Sequence, residues 1–192
     1  VIGLGDTTDI IGTDKVGSAD EWERAYEAFH ILDGKVDYSI VCGNHDDKSE
    51  YNATFPWADF KDTHTGSYDG TTTLNTYRLF EIGEVKYLFI NLDFGPADDV
   101  LAWAGSLCEQ YADYNVIIST HAYLYINGST VTADDHVPPI GNGGSNNGDH
   151  IWDKLVSKYE NISLVLSGHE AGNKITMTQV KGMNGNTVTQ ML

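Results

Sequence analysis

Short apolar runs alternate with helical patterns along this chain. Residues 1–5 read as a buried strand, followed by a loop rich in Gly, Thr and Asp. Ser18-Ala19-Asp20-Glu21 reads as a helix start: a hydroxyl that can cap free backbone N–H groups, then carboxylates facing the positive helix end. Trp22, Ala25, Tyr26 and Phe29 recur at helical spacing as far as about His30. Residues 36–42 form a second buried-type strand, broken by Gly43, and residues 51–62 read as irregular or short-helical. Two strands, 73–81 and 85–93, flank a turn at Gly83-Glu84. A helix is predicted over 97–114 from the spacing of Val100, Leu101, Ala104, Leu107, Cys108 and Tyr111, then a strand over 116–120. Residues 123–148 are long, polar and rich in Gly and Asn, and loops of that length usually carry function or are mobile. A helix over 151–159, a strand over 162–167 and a hairpin of 174–180 with 187–192 complete the pattern.

Strand, helix, strand, helix is the order of an α/β domain, and the two hairpins predict a mixed sheet. With 192 residues, 41% of them hydrophobic, and no repeat or linker, the chain reads as a single domain spanning 1–192. Val1-Ile2-Gly3-Leu4-Gly5 resembles the middle of a buried strand and residues 187–192 another strand, so both ends are expected to be cut. No signal peptide is visible, and no apolar stretch approaches the roughly 20 residues needed to cross a bilayer.

Charge narrows the chemistry. A formal net charge of −17 argues against a nucleic-acid groove, which needs a basic face to displace counterions. An anionic substrate would need local positive charge, and with 11 Lys plus Arg a bound metal ion is the most economical source. The abundance of Gly, Asn, Thr, Ser and Tyr over Lys and Arg suggests an exported bacterial protein, extracellular or in the cell envelope. Cys42 and Cys108 are too few for a disulfide framework and read as two separate buried thiols.

Four segments each follow directly on a predicted strand: Gly5-Asp6-Thr7-Thr8-Asp9, Gly43-Asn44-His45-Asp46, Thr120-His121 and Gly168-His169. Ligand-binding residues of α/β sheets gather beyond the carboxyl ends of strands, so the four could converge on one site. Alone, each has a plainer reading: Gly-Asp as a turn, Gly-Asn-His-Asp as a tight turn, either histidine as a hydrogen-bonded structural residue. Together they supply a carboxylate, an amide oxygen and imidazoles, the ligand types that hold zinc, manganese or iron. Asp46 reads as the residue that fixes its turn by accepting backbone hydrogen bonds.

In this order the motifs resemble the calcineurin-like metallophosphoesterase superfamily, over essentially the whole chain from Gly5-Asp6 to Gly168-His169. The resemblance implies a four-layer α/β/β/α sandwich and a metal-dependent phosphoric ester hydrolase, a phosphomonoesterase or phosphodiesterase, acting on a small-molecule or polymer phosphate ester. It implies that Asp6 bridges two metals, that Asn44, His121 and His169 complete the second metal's ligands, that His45 is the catalytic general acid and that Asp9 orients it. Two departures stand out. The family's Asp-x-His strand has no counterpart here, and the histidine expected two residues after His169 is replaced by Ala171. The sequence therefore predicts that the chain binds at most one metal well, through Asp6, Asn44, His121 and His169, with weak or no hydrolysis. Glu170, Asn173, His136 and His150 are candidates to replace the lost imidazole, the two histidines reading more readily as surface residues; His30 and His64 read as structural or exposed. The competing reading is a degenerate, single-metal or non-catalytic binding module of a larger extracellular protein, favoured by Ala171.

Overall fold

The computed structural model describes residues 1–9, 18–172 and 174–192. Strand β1 (Ile2–Gly3) pairs in parallel with β2 (Ser39–Ile40). Helix α1 (Ala19–His30) begins at a capping box: the Ser18 hydroxyl accepts from the Glu21 N–H while the Glu21 carboxylate accepts from the Ser18 N–H at 2.6 Å. Its Trp22 and Ala25 pack with Tyr38, Ile40 and Cys42, with Tyr51 of α2 (Lys48–Thr54), with Phe60 of α3 (Trp57–Phe60) and with Phe55 between those two helices. This aromatic cluster forms the smaller of two cores.

The second sheet runs in the order β3-β4-β5-β6-β7-β9-β8, from β3 (Gly66–Ser67), β4 (Thr76–Ile82), β5 (Val85–Asn91), β6 (Asn115–Ser119), β7 (Ile162–Leu166), β8 (Met177–Lys181) and β9 (Thr187–Met191). The centre, β5-β6-β7-β9, is parallel, and antiparallel hairpins close both edges. Gly83, at φ 63°, takes the left-handed position in the expected Gly83-Glu84 turn. Helix α4 (Asp98–Gln110) and α5 (Gly148–Ile151) cover one face of this sheet, burying Leu101, Ala104, Leu107 and Ile151 against Leu88, Ile90, Ile118 and Val165. Helices, small sheet, large sheet, helices: the layers are those of a mixed α/β/β/α sandwich, the fold class expected from the sequence.

Several boundaries differ from expectation. The runs at 1–5 and 36–42 yield two-residue strands, and the first is soon followed by Gly5 and Asp6, both at positive φ, which turn the chain out of the extended direction. The strand expected from 73 begins at Thr76, and the helix expected to 114 ends at Gln110. The helix expected over 151–159 starts earlier and passes into a π-helical turn at Trp152–Val156, a change of winding that apolar periodicity does not distinguish. The long loop carries isolated bridges, Leu124 with Thr130 and Ile140 with Gly144. Both cysteines are free and buried. Among the described residues no helix is long and apolar enough to cross a membrane.

Candidate metal centre

The four motif turns meet at one end of the sheets, held by local backbone chemistry. A Cβ on Gly5 (φ 94°) would lie 2.3 Å from His121 Nδ1, and one on Gly43 would lie 2.3 Å from both the Asp6 N and Oδ1. Only glycine lets these turns approach so closely. Asp6 (φ 50°) and His169 (φ 77°) are the non-glycine residues at positive φ among those described. Such conformations cost of order 1–3 kcal/mol and persist where the surroundings over-determine them. Asp46, as expected, accepts backbone hydrogen bonds, but across two turns rather than one: from Gly43 N at 2.9 Å, Thr8 N at 2.9 Å and Thr7 N at 3.2 Å. It thereby clamps the Asp6 turn to the His45 turn.

Asp6, Asn44, His121 and His169 come together. Asn44 Oδ1 lies 3.0 Å from His121 Nε2 and 2.9 Å from His169 Nδ1; the two nitrogens are 3.3 Å apart, and Asp6 Oδ2 is 3.2 Å from His121 Nε2. Both imidazoles are almost wholly buried, with Phe94 against each ring at 5.9 Å. The ring tautomers follow from their outer partners. Leu4 O can only accept, so His121 Nδ1 donates to it, at 2.6 Å. The Asp135 carboxylate accepts from His169 Nε2 at 3.2 Å. In its neutral form each ring therefore turns a lone pair inward, toward a carboxylate oxygen and an amide oxygen that also carry lone pairs. Turning the Asn44 amide over would offer N–H groups to the nitrogens, yet Asp6 Oδ2 would still face the lone pair of His121.

Such a set of inward acceptors fits a cation. A metal about 2.1 Å from four tetrahedral ligands spaces them about 3.4 Å apart, close to the four separations of 2.9–3.3 Å found here, and the Asp6, His121 and His169 ligand atoms all lie within 4.8 Å of one another. Burial works to raise the Asp6 carboxyl, but the N–H and charge that a protonated His121 would bring, with the His45 N–H, outweigh it and hold Asp6 below the usual carboxylate range; a cation held beside the neutral ring acts in the same sense. Burial depresses the His169 imidazole, with Asp135 opposing it, which favours the neutral, ligating form. Carboxylate, amide oxygen and two imidazoles suit manganese, iron or zinc.

His45 stands beside this cluster. Its backbone N–H donates to Asp6 Oδ1 at 3.0 Å, so one Asp6 oxygen fixes the His45 turn while the other faces the imidazoles. His45 Nδ1 donates to Asp9 Oδ1 at 2.9 Å, and the side chain is 33% exposed, leaving Nε2 for a ligand. Asp6, Asp9, His45 and Arg24 line one open cleft of about 740 Å³. Arg24, on α1, was not singled out in the sequence, where its helical spacing marks it only as surface.

With the geometry in view, comparisons with known proteins locate the chain. No protein-family model matches it. A stretch of 158 residues is 26% identical to the uncharacterized protein YvnB of Bacillus subtilis strain 168, covering 78% of this chain and 11% of YvnB. Among solved structures, the NAD nucleotidase NadN of Haemophilus influenzae aligns over 100% of this chain and 39% of its own, with a TM-score of 0.51 and 16% identity. The chain thus spans a minor part of both proteins, and the likeness to NadN is one of fold.

The sequence reading missed Asp135. Its carboxylate, with a fully buried side chain, holds His169 from the side away from Asp6 and also contacts His136 Nδ1 at 3.1 Å. Glu170 and His136, candidates to replace the imidazole absent at Ala171, gather here with Asp135 and not at Asp6. Burial, then the contact with Asp135, raises the Glu170 carboxyl above its ordinary value. His150 lies beside Asp149, in neither group, and Asn173 falls outside the described residues. His64 is structural, bonded to Ser39 Oγ at 3.0 Å, and His30 pairs with Asp33.

Proposed function

We propose that the chain is the metal-binding core of a calcineurin-like metallophosphoesterase domain, a metal-dependent phosphoric ester hydrolase. The observation that carries this reading is the convergence of Asp6 Oδ2, Asn44 Oδ1, His121 Nε2 and His169 Nδ1 with lone pairs inward, beside a partly exposed His45 backed by Asp9. These four side chains would hold one divalent manganese, iron or zinc ion. When bound, such a metal supplies Lewis-acid polarisation of a phosphoryl oxygen and lowers the pKa of water.

The chain's own residues do the rest. Asp9 keeps the His45 ring oriented, and with Nδ1–H engaged the protonated ring presents Nε2–H to the cleft. From there His45 donates first to a phosphoryl oxygen and then, as general acid, passes its proton to the leaving oxygen. Arg24 adds positive charge to a cleft that also carries the carboxylates of Asp6, Asp9 and Glu21. Phe94 walls the imidazoles from solvent and keeps their interaction with charge strong. The substrate is a small-molecule or polymer phosphate ester, and the residue balance noted above fits an exported bacterial protein.

A specific observation favours a second reading, a single-metal module with little or no turnover. Ala171 stands where the resembled family has a ligand, and Glu170 is engaged with Asp135 and His136. Hydrolysis of chromogenic phosphomonoesters and phosphodiesters with Mn²⁺ separates the two. The first predicts slow, chelator-sensitive turnover that falls about 10²–10⁴-fold in His45→Ala while Mn²⁺ affinity is retained. Mn²⁺ bound without any turnover selects the module.

A further inference from the structure

On the far side of His169 lies a second group of ligand-type side chains: Asp135, His136 and Glu170. With His169 they offer ligand atoms all within 4.8 Å of one another. Proximity of acids alone means little on a chain of net charge −17. One atom makes this group different. Asp135 is 8% exposed as a residue, its side chain is fully buried, and its Oδ2 has no hydrogen-bond partner among the described residues. The other oxygen, Oδ1, accepts from His169 Nε2 at 3.2 Å and lies 3.1 Å from His136 Nδ1. A buried carboxylate oxygen without a donor costs free energy that a cation would recover.

Glu170 also lies against Asp135, and burial together with that contact raises the Glu170 carboxyl, so the two negative charges call for a shared proton or a cation, and a cation finds several ligand atoms here. Glu170 Oε1 lies 3.9 Å from His136 Nδ1, its side chain 15% exposed, so two carboxylates and an imidazole edge share one small space. The His136 ring stacks on that of His169, centroids 5.4 Å apart and planes 17° from parallel, which fixes the direction of its Nδ1 edge. On the outer side the group opens to a cleft of about 730 Å³ lined also by Tyr125, Thr132 and Lys174, so an ion can enter from solvent. Two carboxylates with one imidazole suit a divalent ion such as Mn²⁺ or Zn²⁺.

We propose that Asp135, His136 and Glu170 form a second divalent-cation site, separate from the Asp6 centre and joined to it through the His169 ring. Asp135 is its buried anchor, through Oδ2. His136 and Glu170 close it from the loop and from the turn after β7. A cation here pins residues 135–136 of the long loop to the turn that carries His169, and so holds that imidazole in place for the Asp6 centre. The site stands on its own residues and does not depend on whether the Asp6 centre is hydrolytic. It adds an ion beyond the one that the sequence predicts.

Equilibrium dialysis against Mn²⁺ near neutral pH, counting ions per chain, tests this with three proteins: the unaltered chain, Asp6→Asn, and the double variant His136→Ala/Glu170→Gln. His136 is largely exposed and Glu170→Gln is isosteric, so the double variant is expected to fold, with circular dichroism as the check. The expected counts are two, one and one. Loss of outer-shell partners alone costs 10–100-fold in metal affinity, so removing two direct ligands should weaken the second site by more than about 100-fold. The proposal is overturned if the double variant binds as many ions as the unaltered chain with the same affinity. One ion lost only in Asp6→Asn leaves the Asp6 centre standing and removes this site. One ion lost only in the double variant does the reverse, and no bound ion overturns both.

Discussion

Replacing Asp6 with Asn separates a metal centre from a merely structural cluster, because the two predict opposite results without metal. Asp6 Oδ1 accepts the His45 N–H at 3.0 Å and Oδ2 sits 3.2 Å from His121 Nε2. Asparagine keeps the first contact through its amide oxygen and turns an N–H toward the inward lone pair of His121. It also tolerates the φ of 50° better than most residues. In chelator, Asp6→Asn should therefore melt at or above the unaltered chain, a new hydrogen bond being worth about 1 kcal/mol. With Mn²⁺ the order reverses. An ion at a hundredfold excess over its Kd stabilises by about 2.7 kcal/mol, and in a domain of this size each kcal/mol moves Tm by roughly 2–4 °C. The Mn²⁺-induced rise in Tm should thus shrink by about 5–11 °C in the variant. Differential scanning fluorimetry in chelator and in Mn²⁺ reads both numbers. Equal rises in the two proteins would refute the reasoning, as would a variant several degrees less stable in chelator.

Three further outcomes follow from named contacts. Asp46→Ala strands the buried N–H groups of Thr8 and Gly43, so urea unfolding should show a loss of about 3 kcal/mol, and a loss under about 1 kcal/mol contradicts the clamp. Gly43→Ala drives a Cβ to 2.3 Å from the Asp6 backbone; overpacking of this kind costs about 1–3 kcal/mol, and Mn²⁺ affinity measured by calorimetry should fall with it. Burial holds the His64 imidazole at about 4 against an ordinary 6.5. The unfolded chain takes up that proton first, so stability from this group is complete above pH 6.5 and drains away as pH falls toward about 4, by roughly 3 kcal/mol. Chemical denaturation across that range should show a shallower slope in His64→Gln than in the unaltered chain; identical slopes would contradict the assignment.

Much of this was legible in the sequence because the motif residues lie at the ends of parallel strands, Asp6 and Asn44 after β1 and β2 of the small sheet, His121 and His169 after β6 and β7 of the large one. Asp6, Asn44, His121 and His169 could be grouped before any coordinates, since each follows an apolar run and a parallel sheet aligns such ends. The helix start at Ser18 was readable from a hydroxyl followed by carboxylates, while the reciprocal Glu21 bond that makes it a capping box was not. Asp135 was not. It sits between Asp134 and His136 in a polar loop without periodicity, and only the path of that loop over the sheet brings it to His169. Length marked the loop as functional but could not say which residue mattered. The π-helical turn at Trp152–Val156 was equally hidden, because an apolar face at helical spacing does not report how the backbone is wound.

The central claim is spatial, so anomalous diffraction from crystals grown with Mn²⁺ tests it most directly. A peak enclosed by Asp6, Asn44, His121 and His169, at about 2.0–2.2 Å from their ligand atoms, is the expected result. Ordered side chains with no peak among them at saturating Mn²⁺ would contradict it.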